Sequence, residues 1–312
     1  GEPNSIFSEI LIKSMNKIKV KKPIIVISSK KLLLKQLRKL NLKKKIRLLD
    51  YNNLKNYHLN NKSINLINID YNQKKAFEKI SNKSKKYIQD SFKIAFKIIK
   101  KEKVYSFING PISKKHFLNK KYLGITEYIS DNFQKKNTSM LIFNKRLSVC
   151  PVTTHLPLKL VSKKINKKNI QNKVILIQKF YKENLKKIPR MGILGLNPHC
   201  ESILKYNEDE KIIKPIVLKM KKIGYKINGP ISADTAFLKN NRKNYDVIIG
   251  MYHDQVLSPL KTIYGFDAIN VTIGLPFTRI TIDHGPNNKM LGKNLSVPTS
   301  LIKAINFAKK FV

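Results

Sequence analysis

Val247-Ile248-Ile249-Gly250-Met251-Tyr252-His253 is a short apolar run that closes on a glycine and turns into a histidine. The same grammar stands twice upstream, in Val149-Cys150-Pro151-Val152-Thr153-Thr154-His155 and in Ile193-Leu194-Gly195-Leu196-Asn197-Pro198-His199. Apolar, β-branched runs bounded by turn residues read as strands. The three histidines are 44 and 54 residues apart, enough for a helical excursion and a return strand in each interval. Strands that alternate with helices specify an α/β fold with a largely parallel sheet. In such a sheet the returns bring equivalent strand ends to one edge, where open α/β proteins place their ligands.

Strands are expected at Ile24–Ser28, Val104–Ile108, Arg146–Thr153, Met191–Leu196, Val247–Met251 and Ala268–Ile273. Tyr87, Ile88, Phe92, Ala95, Phe96 and Ile99 recur at helical spacing, as do Ile212, Ile213, Ile216, Val217 and Met220. Pro215 falls near the start of that second helix, where a missing N–H costs least. Leu301, Ile302, Ile305, Phe307, Ala308 and Phe311 predict a closing helix. The stretch from Lys30 to Ser84 is so rich in Lys and Asn that no periodicity can be read from it. Asn109-Gly110-Pro111-Ile112-Ser113 is echoed by Asn228-Gly229-Pro230-Ile231-Ser232, each expected as a sharp turn after a strand.

Composition narrows the class. The chain has 312 residues, 42% of them hydrophobic, which is ample for a sizeable core in one large domain or two smaller ones. No apolar run approaches the roughly 18 residues of a membrane span. Two cysteines, Cys150 and Cys200, exclude a disulfide scaffold and a four-cysteine zinc site, and fit a reducing cytoplasm. Lys and Arg number 63 against 19 Asp and Glu, a net charge of +44. Such a balance raises nucleic acid or an anionic surface as partners. The only arginines, however, are Arg38, Arg47, Arg146, Arg190, Arg242 and Arg279, and the lysine runs are scattered. Base and phosphate recognition recruits the planar guanidinium, so the charge is read as a solvated surface, with no specific nucleic-acid partner and no membrane. A polyanion-binding surface is the alternative.

Three imidazoles at one sheet edge suit a divalent metal with positions left open for substrate. Asp254, beside His253, is placed to orient an imidazole. Lys261, Asn270 and Arg279 follow His253 at intervals of eight or nine residues, on expected strand and turn positions, and suit an anionic substrate. Arg279 stands between Pro276-Phe277 and Ile280, where an unpaired charge is costly, so an anionic partner such as Asp283 is expected. Asp283-His284 is a candidate cleft lining. No Gly-x-Gly-x-x-Gly turn, Walker loop or Gly-x-Ser-x-Gly elbow is present. Cys150 reads as a packed strand residue, and Cys200 as a small residue beside His199.

Taken together, Thr153-Thr154-His155-Leu156-Pro157-Leu158, Gly195-Leu196-Asn197-Pro198-His199 and Met251-Tyr252-His253-Asp254-Gln255 resemble the 4-hydroxythreonine-4-phosphate dehydrogenase family of vitamin B6 synthesis. So do Asn228-Gly229-Pro230 with Ala233-Asp234-Thr235, Gly274-Leu275-Pro276-Phe277-Thr278-Arg279 and Asp283-His284-Gly285, in order along nearly the whole chain. The resemblance implies two α/β/α domains like those of isocitrate and isopropylmalate dehydrogenases. One would comprise residues 1–113 plus 285–312 and the other residues 114–284, which carry the histidines, with the active cleft between them. It also implies a homodimer with a shared active site, a metal (Zn, Co, Mg or Mn) on His155, His199 and His253, and substrate on Thr126, Lys261, Asn270 and Arg279. Asp254 and Lys261 are the candidate catalytic residues. The implied reaction oxidises 4-phosphooxy-L-threonine with NAD and then decarboxylates it to 3-amino-2-oxopropyl phosphate, for pyridoxal 5'-phosphate. Phosphorylated sugar acids are the alternative substrates. The chain departs from the family at Ile125, where a His is usual, in Asn4-Ser5-Ile6-Phe7-Ser8 after Gly1-Glu2-Pro3, and in Cys200-Glu201-Ser202-Ile203, where glycines are usual.

Overall fold

The structure is a computed structural model that describes every residue except 103, 119–121, 123, 204–205, 266, 283–284, 288 and 310–312. Asp283, His284 and Phe311 therefore lie outside the described residues. The chain divides into two units, Gly1–Ile125 with Ile280–Val312, and Thr126–Arg279.

The first unit contains a parallel sheet of β1 (Ile25–Ser28), β2 (Ile46–Leu48) and β3 (Ile64–Asn68), in the order β1-β3-β2. Two of these strands and a helix arise from the stretch whose periodicity was hidden by lysine and asparagine. Helix Lys30–Lys39 starts where the Ser29 side chain accepts from the Leu32 N–H, and it buries Leu32, Leu33, Gln36 and Leu37. Its lysines point outward or lie half-buried. In β3 Asn65 is fully buried and pairs its amide with the carbonyls of Ile24 and Asn60 at 3.2 and 2.8 Å, so an asparagine serves as a core residue. Helix Ser84–Lys101 buries the expected face of Tyr87, Ile88, Phe92, Ala95 and Phe96. Strand β4 (Ser106–Asn109) leads into the first Gly-Pro turn, and Thr299–Ala308 is the closing helix.

The second unit holds β5 (Ser139–Phe143), β6 (Ser148–Pro151), β7 (Met191–Leu194), β8 (Ile227–Ile231), β9 (Val247–Gly250) and β10 (Ile269–Ile273), in the order β10-β5-β6-β9-β7-β8. Strand β11 (Thr278–Thr281) carries the chain out of this unit. The pairs β6–β9, β9–β7 and β7–β8 are parallel, while β5 runs antiparallel to both neighbours. The expected α/β class with mostly parallel strands holds. Helix Lys167–Leu185 is capped by the Asn166 side chain on the Asn169 N–H and covers the sheet with Ile170, Val174, Ile177, Phe180 and Tyr181. Helix Lys214–Lys222 has Pro215 in its first turn, following a π-turn over Asp209–Ile213.

Two expectations need correction. The second Gly-Pro, Gly229-Pro230, lies inside β8 rather than in a turn after a strand. A Cβ on Gly229 would meet the Ile193 carbonyl oxygen at 2.6 Å, so the glycine is required for β8 to pack this closely beside β7. Lys261 is helical, within His253–Tyr264, rather than on a strand or turn.

The N-terminal ends of β7 and β9 are joined by Asp246, which is 8% exposed. Its carboxylate accepts from the Lys187 ammonium at 2.7 Å, the Arg190 N–H at 2.9 Å and the Arg190 Nε at 3.3 Å. Burial alone would raise its pKa, but the hydrogen bonds from Arg190 and Lys187 outweigh that and hold it below the ordinary value. A carboxylate depressed in the folded state contributes stability that is present above its unfolded pKa and lost as pH falls through the folded value. Asp246→Asn is expected to cost about 1–3 kcal/mol at neutral pH. The variant's stability should fall less steeply than the wild type's below the ordinary aspartate pKa, as measured by denaturation across that range.

Candidate active site

Strands β6, β9 and β7 are parallel neighbours, and Pro151 pairs with Gly250 while Ile193 pairs with Ile249. Their C-terminal ends consequently share one edge, and the chain leaves each end toward a histidine. After β6, the Val152 N–H donates to the Gly250 carbonyl at 2.7 Å. The Thr153 hydroxyl donates to the Met251 carbonyl at 2.7 Å. His155 follows, exposed. After β9, His253 opens helix His253–Tyr264 with Tyr252 at the cap position. The His155 and His253 ring centroids are 6.2 Å apart.

The His253 Nδ1 lies 2.7 Å from Asp254 Oδ1. An ionised carboxylate can only accept, so in a neutral imidazole this contact favours the proton on Nδ1 and leaves Nε2 as the lone-pair nitrogen for a ligand. After β7, the buried Asp209 carboxylate accepts from the N–H groups of Leu196 and Asn197 at 2.7 and 3.0 Å, and from the Asn197 amide at 2.9 Å. The turn then passes through left-handed backbone at His199 (φ 54) and Cys200 (φ 64). His199 Nδ1 stands 4.0 Å from Asp234 Oδ2. The Ser232 hydroxyl, donating to Asp234 at 2.6 Å, holds that carboxyl below its usual range. Among the described residues no three His, Cys, Asp or Glu side chains stand together as a metal cluster. The single chain thus brings His155 and His253 together, and His199 with Asp234.

Arg279, on β11, is 3% exposed. Its Nη1 donates to Thr126 Oγ1 and Thr272 Oγ1, each at 2.9 Å. Burial pushes the guanidinium down to about 10, and the negative charge of Glu127 opposes that. The same Glu127 acts on Lys173, whose ammonium is lowered by burial against the opposing influence of Cys150 and Glu127. Glu127 Oε2 and Asn270 Oδ1 are both buried without a hydrogen-bond partner. Asn270 and Thr272 are two residues apart on β10 and so share a face of the sheet. Lys261 is exposed near the end of its helix. Ile125, directly before Thr126, is 7% exposed and packs as an apolar residue.

Sequence reading did not single out Asp209, Glu127 or Thr272. Glu127 had one signal, its place directly after Thr126. Asp209 had none, because it is 10 residues beyond His199 in a polar stretch.

The model of the pyridoxal phosphate biosynthetic protein PdxA family matches residues 19–308. A 4-hydroxythreonine-4-phosphate dehydrogenase of Sulfurihydrogenibium sp. (strain YO3AOP1) is 36% identical over 99% of this chain and 95% of that protein. A D-threonate 4-phosphate dehydrogenase of Pectobacterium atrosepticum is 30% identical over 69% of each. The crystal structure of 4-hydroxythreonine-4-phosphate dehydrogenase from Klebsiella pneumoniae superimposes with a TM-score of 0.84 at 25% identity, covering 99% of this chain and 96% of that one. The chain belongs to the PdxA family of pyridoxal phosphate biosynthetic proteins.

Proposed function

We propose that the chain is an NAD- and divalent-metal-dependent dehydrogenase that oxidises 4-phosphooxy-L-threonine at its secondary alcohol. The resulting β-keto acid then loses carbon dioxide to give 3-amino-2-oxopropyl phosphate, on the way to pyridoxal 5'-phosphate. The observation that supports this reading is the shared edge at which β6, β9 and β7 end, each followed in the chain by one of His155, His253 and His199.

The residues fit a divalent metal by the chemistry of their donors. His253 is oriented by Asp254 with Nε2 as its remaining donor, and His155 lies beside it. His155, His253 and His199 would hold the ion, with a second copy of the chain completing the site in a homodimer. A metal bound there supplies Lewis acidity, lowering the pKa of the substrate hydroxyl. Asp254 keeps the imidazole in the ligating tautomer. Arg279 and Lys261 would anchor the anionic ends of the substrate, and Thr126 and Asn270 would fix its register beside them. The buried Asn270 oxygen is an acceptor suited to a substrate N–H or O–H. NAD is assigned on family membership alone. The loop after β7 does not fit a dinucleotide turn, because Cys200 Sγ and Asp209 Oδ1 stand 2.7 and 2.8 Å from where a Gly195 Cβ would be.

A second reading, oxidation of a phosphorylated sugar acid, is favoured by one observation. A relative named D-threonate 4-phosphate dehydrogenase is 30% identical over 69% of this chain. The two substrates differ in an amino versus a hydroxyl group next to the carboxylate. Side-by-side kcat/KM measurements should favour 4-phosphooxy-L-threonine over D-threonate 4-phosphate. A preference for the threonate would replace the first reading with the second.

A further inference from the structure

The loops that lead to the three histidines are tied together by a side chain whose hydrogen bonds run to backbone rather than to the imidazoles. Gln255 uses both ends of its amide: Oε1 accepts from the Met251 N–H at 2.7 Å, and Nε2 donates to the Gly195 carbonyl at 2.7 Å. Met251 leads to His253, and Gly195 leads to His199. Thr153, two residues before His155, extends the chain of bonds through its hydroxyl to the Met251 carbonyl. On the far side, the Asp209 carboxylate pins Leu196 and Asn197.

The strand ends are shaped for this clamp. A Cβ on Gly250 would meet Gln255 Oε1 at 2.9 Å and Val256 Cγ1 at 2.4 Å, and a Cβ on Gly195 would meet Asp209 Oδ1 at 2.8 Å. Only glycine at these positions leaves room for the amide and the carboxylate. Only an amide can serve Gln255's place, since one end must accept from an N–H while the other donates to a carbonyl.

We propose that Gln255 is a positioning residue for metal binding, setting the His199 loop against the His253 loop. This rests on the reading that the three histidines hold a divalent metal. The test is zinc affinity of the full chain, measured by competition with a chromophoric chelator. Gln255→Glu keeps the acceptor for Met251 but sets a carboxylate oxygen against the Gly195 carbonyl. It should weaken zinc binding by about ten- to a hundredfold, the range for residues that orient ligands. Because Gln255 acts through the His199 loop, the same change in a His199→Ala background should add little, a non-additivity that a merely structural role would not produce. Asp246→Asn, at the opposite sheet edge, controls for general destabilisation and should leave zinc affinity where it was. If Gln255→Glu does not fold, Gln255→Asn, one methylene too short to span both loops, should show the same loss. Wild-type zinc affinity in the Gln255 variants, or losses from Gln255→Glu and His199→Ala that simply multiply, would overturn the proposal. Zinc affinity unaffected by alanine at His155, His199 and His253 would instead remove the metal reading, and this proposal with it.

Discussion

Arg279→Met is expected to lower the stability of the chain by about 3 kcal/mol, the low end of the cost of removing one partner from a buried charge pair. The low end applies because Glu127 acts on the guanidinium by charge, while Nη1 donates to two hydroxyls. Losing the cation leaves Glu127 Oε2, already without a hydrogen-bond partner, facing fewer positive charges in a buried setting. It also strands the Thr126 and Thr272 hydroxyls. Arg279→Lys should recover part of the charge only, since a single ammonium nitrogen lacks the planar fork that lets Nη1 meet both hydroxyls while the other nitrogens stay available for a ligand. Denaturant unfolding measures the loss, and inorganic phosphate supplies a second readout. Phosphate should raise the midpoint of the wild type and leave that of Arg279→Met unmoved. A variant as stable as the wild type, with the phosphate response intact, would refute this assignment of Arg279.

The second large effect is expected at His253. His253→Ala should reduce turnover by about a thousandfold, because Lewis-acid stabilisation is worth several kcal/mol and each 1.36 kcal/mol is tenfold in rate. The fold should be retained, with stability within about 0.5 kcal/mol, since His253 stands half-exposed at the start of a helix rather than in the core. Asp254→Asn should cost about ten- to a hundredfold, because the amide can still meet Nδ1 but no longer favours the ligating tautomer. Turnover of the alanine variant close to that of the wild type would take His253 out of the site.

The histidine edge was legible in the sequence because each histidine follows an apolar run and a turn, a pattern strong enough to survive the basic drift of the rest of the chain. What sequence could not supply was the strand order. That β6, β9 and β7 are neighbours follows from crossovers through helices, and spacing alone does not rank them. Strand β5 escaped notice because all five of its residues are buried, so it lacks the alternation that marks a half-exposed strand. Helix His253–Tyr264 was masked by Pro259 inside it. No lysine is among the fully buried polar residues described, although burial lowers the Lys173 ammonium. No helix of the described residues is long and apolar enough to cross a membrane.

The partner of Arg279 was the least readable feature. Burial of its charge was expected from the apolar run around it, and Asp283, four residues on, was the nearest acid in sequence. Asp283 lies outside the described residues, and the negative charge that acts on Arg279 comes from Glu127, 152 residues away along the chain and delivered by helix Ile125–Asn132. Pairings of this kind depend on which helix a strand meets, which local patterns do not encode.

The most direct test of the account is NAD reduction with 4-phosphooxy-L-threonine, followed by absorbance with added divalent metal, without it, and after chelation. The account predicts turnover that disappears on chelation, returns with metal, and is lost in His253→Ala. Turnover indifferent to chelation and to His253, or none with this substrate while the histidines still bind metal, would contradict it.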